Sequence, residues 1–195
     1  EYYNAQPVDT GWEWGNVEIV GGGFIPNIIY NPTEEGLVYV RTDMGGAYKL
    51  NTETNRWECI TDCIGGDDWN LNGIESLATD PVEPNRLYIA AGTYTASGNG
   101  AILVSEDYGE NYIKVDLPFG NGGNEVGRGA GERLQVDPND NSIIYFGTRS
   151  PGLDRSTDYG MTWNPVESFP TDGGYTESGY SIGLTFVAFD KSSSE

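Results

Sequence analysis

Histidine is absent from this chain of 195 residues, and cysteine occurs only twice. Cys59 and Cys63 sit four apart in Cys-Ile-Thr-Asp-Cys, too close to staple a loop framework. Without histidine or a further cysteine they do not complete a zinc site. Two free thiols or one local disulfide are the open alternatives, and neither a metal nor a cofactor is expected. Basic residues are scarce too, ten Lys plus Arg against thirty Asp plus Glu, for a formal net charge of −20. Such a field repels phosphate backbones and anionic lipid headgroups, which argues against nucleic acid and membrane as partners. A neutral polymer such as a polysaccharide meets no such repulsion. No apolar run approaches the roughly 20 residues that span a bilayer, and no basic-then-apolar signal peptide opens the sequence. The chain begins at Glu1 and not at Met, which reads as a processed or cut terminus compatible with a secreted, extracellular protein.

What the chain has in quantity is glycine, 28 residues, and tyrosine, 13, with 10 proline and 5 tryptophan against 2 methionine. That composition suits many short strands joined by tight turns and disfavours long helices. The chain also repeats itself. Asn31-Pro32, Asp80-Pro81 and Asp137-Pro138 each follow a short apolar run and precede a polar turn and a second apolar run. The second runs are Leu37 to Val40, Leu87 to Ala90 and Ile143 to Phe146. A period of about 50 residues is that of one four-stranded propeller blade with its loops.

Each repeat continues alike, with a threonine (Thr42, Thr93, Thr148), a loop, and a glycine opening a third strand at Gly46, Gly100 and Gly152. Behind it stand Ser105-Glu-Asp107-Tyr-Gly109-Glu-Asn-Tyr112 and Ser156-Thr-Asp158-Tyr-Gly160-Met-Thr-Trp163. These are Asp boxes: Asp and Ser side chains bond the backbone of a hairpin turn, glycine supplies a positive φ, and the closing aromatic packs into the blade. Asn51 to Trp57 is a worn version in the first repeat. The boxes identify architecture and are read as structural staples, with Trp57, Tyr112 and Trp163 buried. The fold expected is therefore all-β, a propeller with repeats near residues 28–76, 77–133 and 134–184 and an incomplete fourth from 185. Blades should begin near Ile28, Leu77, Leu134 and Thr185. A propeller closes its ring with about four to eight blades, so further chain or another chain is expected to complete it. A small β-sandwich is the alternative, but sandwiches do not repeat in this way.

Several strings resemble glycoside hydrolase family 74, the xyloglucanases and the related reducing-end-specific enzymes. They are Trp14-Gly-Asn-Val with Gly21-Gly-Gly-Phe-Ile-Pro26, Arg41-Thr-Asp43-Met-Gly-Gly-Ala-Tyr48, Asp67 to Pro81, Gly127 to Leu134, and Arg155-Ser-Thr-Asp158-Tyr-Gly160. The resemblance covers nearly the whole chain and implies the first of two seven-bladed propellers facing each other across a cleft. It implies hydrolysis of the β-1,4-glucan backbone of xyloglucan with inversion, one Asp coming from each propeller. The Arg-Thr-Asp string carries the family's general base, which makes Asp43 that base; the general acid belongs to the second propeller and has no counterpart here. Asp154, where the family usually has an aromatic, and the two cysteines depart from the pattern.

From the repeat alone, Asp43 ends an apolar strand and heads a Gly-Gly turn, so a structural turn cap is its other reading. Asp43, Tyr94 and Arg149 each follow the equivalent threonine, which predicts that they emerge at the same end of consecutive blades and open onto one binding face. A carboxylate, an aromatic and a guanidinium there suit a base, a sugar-stacking platform and a hydroxyl or carboxylate partner. Trp69, in a polar loop beside Asp67 and Asp68, is the first candidate for an aromatic platform, because pyranose rings present apolar faces to indole and phenol rings. Core packing is the alternative for Trp69 and Tyr94. The substrate-binding set expected is thus Trp69, Tyr94 and Arg149, with xyloglucan or a related β-glucan as ligand. Two rival functions remain. A sialidase would need an arginine triad and a tyrosine nucleophile, whereas most arginines here fall in strand, turn or box contexts. A non-catalytic propeller serving carbohydrate or protein binding, or self-assembly, is the runner-up.

Overall fold

A computed structural model describes Gly11 and residues 18–19, 21–150, 152–170, 176–177 and 179–190. The motif Trp14 to Val17 and the tail from Lys191 lie outside the described residues. Three antiparallel meanders of four strands make up the fold. The first runs through β2 (Asn27–Tyr30), β3 (Val38–Arg41), β4 (Ala47–Asn51) and β5 (Arg56–Cys59), with the short β1 (Glu18–Ile19) parallel to β5. The second is β6 (Ile74–Thr79), β7 (Leu87–Ala91), β8 (Ala101–Ser105) and β9 (Ile113–Asp116). The third is β10 (Leu134–Val136), β11 (Ile144–Gly147), β12 (Leu153–Ser156) and β13 (Asn164–Pro165), and a two-stranded ribbon follows from β14 (Thr176–Glu177) and β15 (Tyr180–Ser181). Each meander is a propeller blade.

The middle blade shows why the strands read as continuous apolar runs and not as alternating ones. Successive side chains point to opposite faces of a sheet, and here both faces are covered. On β7, Leu87, Ile89 and Ala91 join the core shared with the first blade, with Leu37 and Tyr39. Tyr88 and Ala90, one residue out of phase, join the core shared with the third blade, with Leu134, Ile144 and Phe146. Burial drives the Tyr88 phenol pKa up to about 12, although Arg86 opposes the shift.

Backbone hydrogen bonds stitch blade to blade at one recurring place. The carbonyl of Thr42 accepts Ile74 N–H at 3.0 Å, that of Thr93 accepts Asn124 N–H at 3.0 Å, and that of Thr148 accepts Leu184 N–H at 3.1 Å. The repeated threonine thus marks where the chain leaving one blade is held by the chain arriving at the next. In two repeats its hydroxyl also closes the loop between the second and third strands, Thr42 Oγ1 donating to Gly46 O and Thr148 Oγ1 to Gly152 O.

The hairpins at 105–109 and 156–160 carry matching bonds. Gly109 N–H donates to Ser105 Oγ at 2.9 Å and Gly160 N–H to Ser156 Oγ at 2.8 Å. Asp107 and Asp158 accept the backbone N–H four residues on, and both glycines have positive φ. Ser156 is fully buried, so Ser156→Ala leaves the Gly160 N–H without its acceptor. A loss of about 1–3 kcal/mol is expected, read as a lower urea midpoint, and Ser105→Ala should cost a similar amount.

Two expectations need correction. The box-closing Trp57, Tyr112 and Trp163 are half-buried, not buried, each standing on or beside the last strand of its four-strand meander. The first strand of the second blade, Ile74–Thr79, contains Leu77. No strand starts near Thr185 among the described residues; instead Val187 N–H donates to Glu132 O, and Phe189 packs edge-on to Tyr145 at 5.7 Å, so this stretch lies along the third blade. Asp154 is buried with Oδ1 unpartnered, and burial raises its pKa. Cys59 and Cys63 are free thiols, the first half-buried and the second exposed.

Candidate functional site

The string from Arg41 to Tyr48 builds a tight platform one residue at a time. Arg41, fully buried at the end of β3, is ion-paired to Glu132 at 2.5 Å. Thr42 closes the turn, and Gly45 N–H returns a bond to Thr42 Oγ1. A Cβ on Gly45 would overlap the Gly22 carbonyl oxygen, so glycine is required where the 21–24 segment crosses the turn. Gly23, at φ +115°, brings its backbone beside Asp43. Phe24 then meets Asp43 twice: Phe24 N–H donates to Asp43 Oδ1 at 2.9 Å, and Asp43 N–H donates to Phe24 O at 3.0 Å. The glycine run from Gly21 to Gly23 thus delivers a backbone donor to the carboxylate.

Asp43 is buried, 6% exposed, yet its partners come from outside its own turn. Oδ2 accepts no hydrogen bond among the described residues and lies 3.3 Å from Arg128 Nε. Beside it Met44 is exposed, and Asn124 Nδ2 lies 3.2 Å from Met44 Sδ and donates to Tyr94 Oη at 2.8 Å. Tyr94 and Trp69 approach with ring centroids 6.4 Å apart at 56°. Trp69 is 54% exposed and Tyr94 37%, so neither ring is core. The exposed ring of Phe24, whose N–H binds Asp43, lies under the Arg128 guanidinium, 5.4 Å from its centroid.

The platform is held from below. Trp69 lies in a 3₁₀ segment, Gly66–Asn72. Within it the buried Asn70 accepts Tyr94 N–H and donates to the carbonyls of Tyr94 and Asn99. Gly46 N–H donates to Asn72 O at 2.8 Å, tying this segment to the Asp43 turn. Asp43, Tyr94 and Trp69 therefore share one surface.

Arg149 does not join them. It is 4% exposed, and its N–H groups go to both Glu75 carboxylate oxygens and to the carbonyls of Gly122, Val126 and Ser181. A guanidinium has five N–H donors, so none is left for a sugar hydroxyl. The reading of Arg149 as a substrate contact is corrected: position after the threonine is shared, but the side chain turns inward to a buried carboxylate. Glu75 sits at a β-bulge in β6, a device that re-aims a side chain. Between Arg133 and Arg149, each 2.7 Å away, Glu75 is 1% exposed. Burial alone would raise its pKa, but the two guanidiniums outweigh burial and hold it below the usual carboxylate range.

Phe24, Arg128, Asn124 and Met44 were not anticipated as part of this surface. Chemically the surface offers the Asp43 carboxylate balanced by the partly exposed Arg128 guanidinium, a neutral amide and three exposed rings, a set matched to an uncharged, flat-faced polyhydroxylated ligand.

No family model matches the chain. By sequence it is 52% identical over 206 residues to a xyloglucanase from a Paenibacillus species, covering 100% of this chain and 20% of the relative. A xyloglucanase from Acetivibrio thermocellus is 52% identical over 194 residues, covering 94% of this chain and 23% of the relative. Among solved structures, the GH74 xyloglucanase from Xanthomonas campestris superposes with a TM-score of 0.84 at 42% identity, covering 93% of this chain and 27% of that one. A GH74 enzyme from Niastella koreensis gives 0.81 at 41% identity, covering 93% and 26%. The chain spans about a fifth to a quarter of the length of the relatives it matches.

Proposed function

We propose that this chain, similar along nearly its whole length to part of the glycoside hydrolase family 74 enzymes, forms one wall of a xyloglucan-cleaving cleft with Asp43 as general base. In this reading the three blades and the stretch from 185 belong to the first of two seven-bladed propellers in a secreted enzyme. The reaction is hydrolysis of the β-1,4-glucan backbone with inversion. Inversion sets two carboxyl groups about 6.5–9.5 Å apart so that a water fits between base and sugar, and the acid comes from the second propeller.

One observation carries the reading. A buried carboxylate, anchored at Oδ1 by a backbone N–H and with Oδ2 accepting no hydrogen bond among the described residues, shares its surface with exposed aromatic rings. A general base must be within hydrogen-bond reach of the proton it takes and have a lone pair to take it; the uncommitted oxygen meets the second need. Trp69 and Tyr94 serve as the stacking platform.

The test compares this chain with a chimera, the full-length Paenibacillus xyloglucanase in which the matching stretch is replaced by these 195 residues. Loss of general-acid help is worth about 10² to 10⁴ in rate, so the chain alone should release almost no reducing sugar from xyloglucan while the chimera hydrolyses it. Xyloglucan binding without hydrolysis in both proteins would favour a non-catalytic binding propeller.

A further inference from the structure

We infer that Arg128 is a positioning residue for Asp43, reaching from the connection before the third blade to a carboxylate carried by the first. The inference rests on the reading of Asp43 as the general base and adds to it a residue that sets the direction of its free oxygen.

Three features point to this role. First, Arg128 touches both Asp43 and the residue whose backbone binds it. Its Nε lies 3.3 Å from Oδ2, and its guanidinium lies over the ring of Phe24, whose N–H binds Oδ1. The three residues form a closed arrangement in which the carboxylate is gripped at both oxygens by groups that are also in contact with each other. Second, the contact at Oδ2 is an ion pair without hydrogen-bond geometry: Arg128 Nε is buried and has no hydrogen-bond partner among the described residues. The charge is balanced at close range while no described residue donates a hydrogen bond to Oδ2, as a base that must accept a proton requires.

Third, the backbone beneath Arg128 is fixed from several directions. Its carbonyl accepts Arg41 Nη2 at 2.8 Å, and Arg41 is itself locked to Glu132. Glu125, three residues earlier, accepts both the N–H and the hydroxyl of Thr95 at 2.8 Å and lies 3.7 Å from Arg149. The loop is pinned to buried charges of the first and third blades and to the turn of the second, so the guanidinium is presented from a rigid base.

An ion pair with one partner a third exposed contributes little to stability, so folding is not where Arg128 should register. A misplacement of about 1 Å at a reacting group can cost about 10²-fold in rate, and that is where it should. In the chimera, Arg128→Ala and Arg128→Gln are expected to lower kcat about 10- to 100-fold with little change in KM or in the thermal midpoint. Arg128→Lys should fall between, since an ammonium keeps the charge but not the planar fork or the stacking on Phe24. Added guanidinium ion should restore part of kcat to Arg128→Ala and none to Asp43→Ala. Unchanged kcat in both Arg128→Ala and Arg128→Gln, with Asp43→Ala inactive, overturns the positioning role and leaves the base intact. A raised KM at unchanged kcat also overturns it, making Arg128 a sugar contact. Full activity in Asp43→Ala removes the reading beneath.

Discussion

Glu75→Gln should destabilise the protein by about 3–5 kcal/mol, the range measured when one partner of a buried ion network is removed and the others stay charged. Glu75, itself 1% exposed, binds the buried Arg133 and Arg149 and also accepts Gly122 N–H at 2.5 Å. Glutamine keeps the size but turns an amide N–H₂ toward two guanidiniums that no solvent screens. Arg149 has Glu125 at 3.7 Å as a second carboxylate, whereas burial already lowers the Arg133 pKa, and Arg133 Nη2 has no partner among the described residues. The midpoint in urea should drop accordingly. Glu110→Gln, whose carboxylate is 74% exposed and 3.8 Å from Lys49, should leave it unchanged. Acid gives the same answer by another route. The folded pKa of Glu75 is depressed, so its contribution is fully present above the unfolded carboxylate pKa and disappears as pH falls through the folded value. Acid unfolding should therefore start at higher pH in a variant with the network weakened, such as Arg149→Met, than in the parent. An unchanged urea midpoint for Glu75→Gln would mean that the network relaxes or hydrates at no cost.

The same network explains how far the sequence could be read. The repeat of Asx-Pro landmarks, threonines and glycine-opened strands was enough to find three blades, because blade geometry is local and its signals recur about every 50 residues. It also brought Tyr94 to the same surface as Asp43, since the threonine before each is held by the next blade's backbone in the same way. Equivalence in the repeat does not extend to side-chain direction. Arg149 follows its threonine as Asp43 does, but Glu75, 74 residues earlier in the chain, draws it into the interior, and no spacing rule announces that partner. Phe24 and Arg128 were missed for a related reason. Phe24 matters through its backbone N–H, reachable only because glycines let two loops touch, and Arg128 acts across blades. The exposure of Trp69 was legible because a tryptophan in a polar loop is itself a local signal.

In the chimera, Asp43→Ala and Asp43→Asn should abolish most hydrolysis of xyloglucan while leaving polysaccharide binding largely intact. The reasoning separates two parts of one surface. In the proposed reading affinity comes from rings that stack on sugar faces, here the exposed Trp69, Tyr94 and Phe24, and none of them depends on the Asp43 carboxylate for its own exposure. Rate comes from the carboxylate, which takes the proton as water attacks, and general-base help is typically worth about 10² to 10⁴. The asparagine variant sharpens the test: its side-chain oxygen can still accept Phe24 N–H as Oδ1 does, so geometry survives while basicity is lost. A small anionic nucleophile needs no base, so azide should restore cleavage to Asp43→Ala by entering the space that the side chain vacates. Attack from the side of Asp43 displaces the leaving group from the opposite face, so a β-linked substrate should yield an α-configured azide, and the parent should yield an α-configured sugar. Proton magnetic resonance of the anomeric proton during the first turnovers reads that configuration before mutarotation mixes it. Retained configuration would make the mechanism a double displacement and Asp43 something other than its base, and full activity without Asp43 would move the base to another residue.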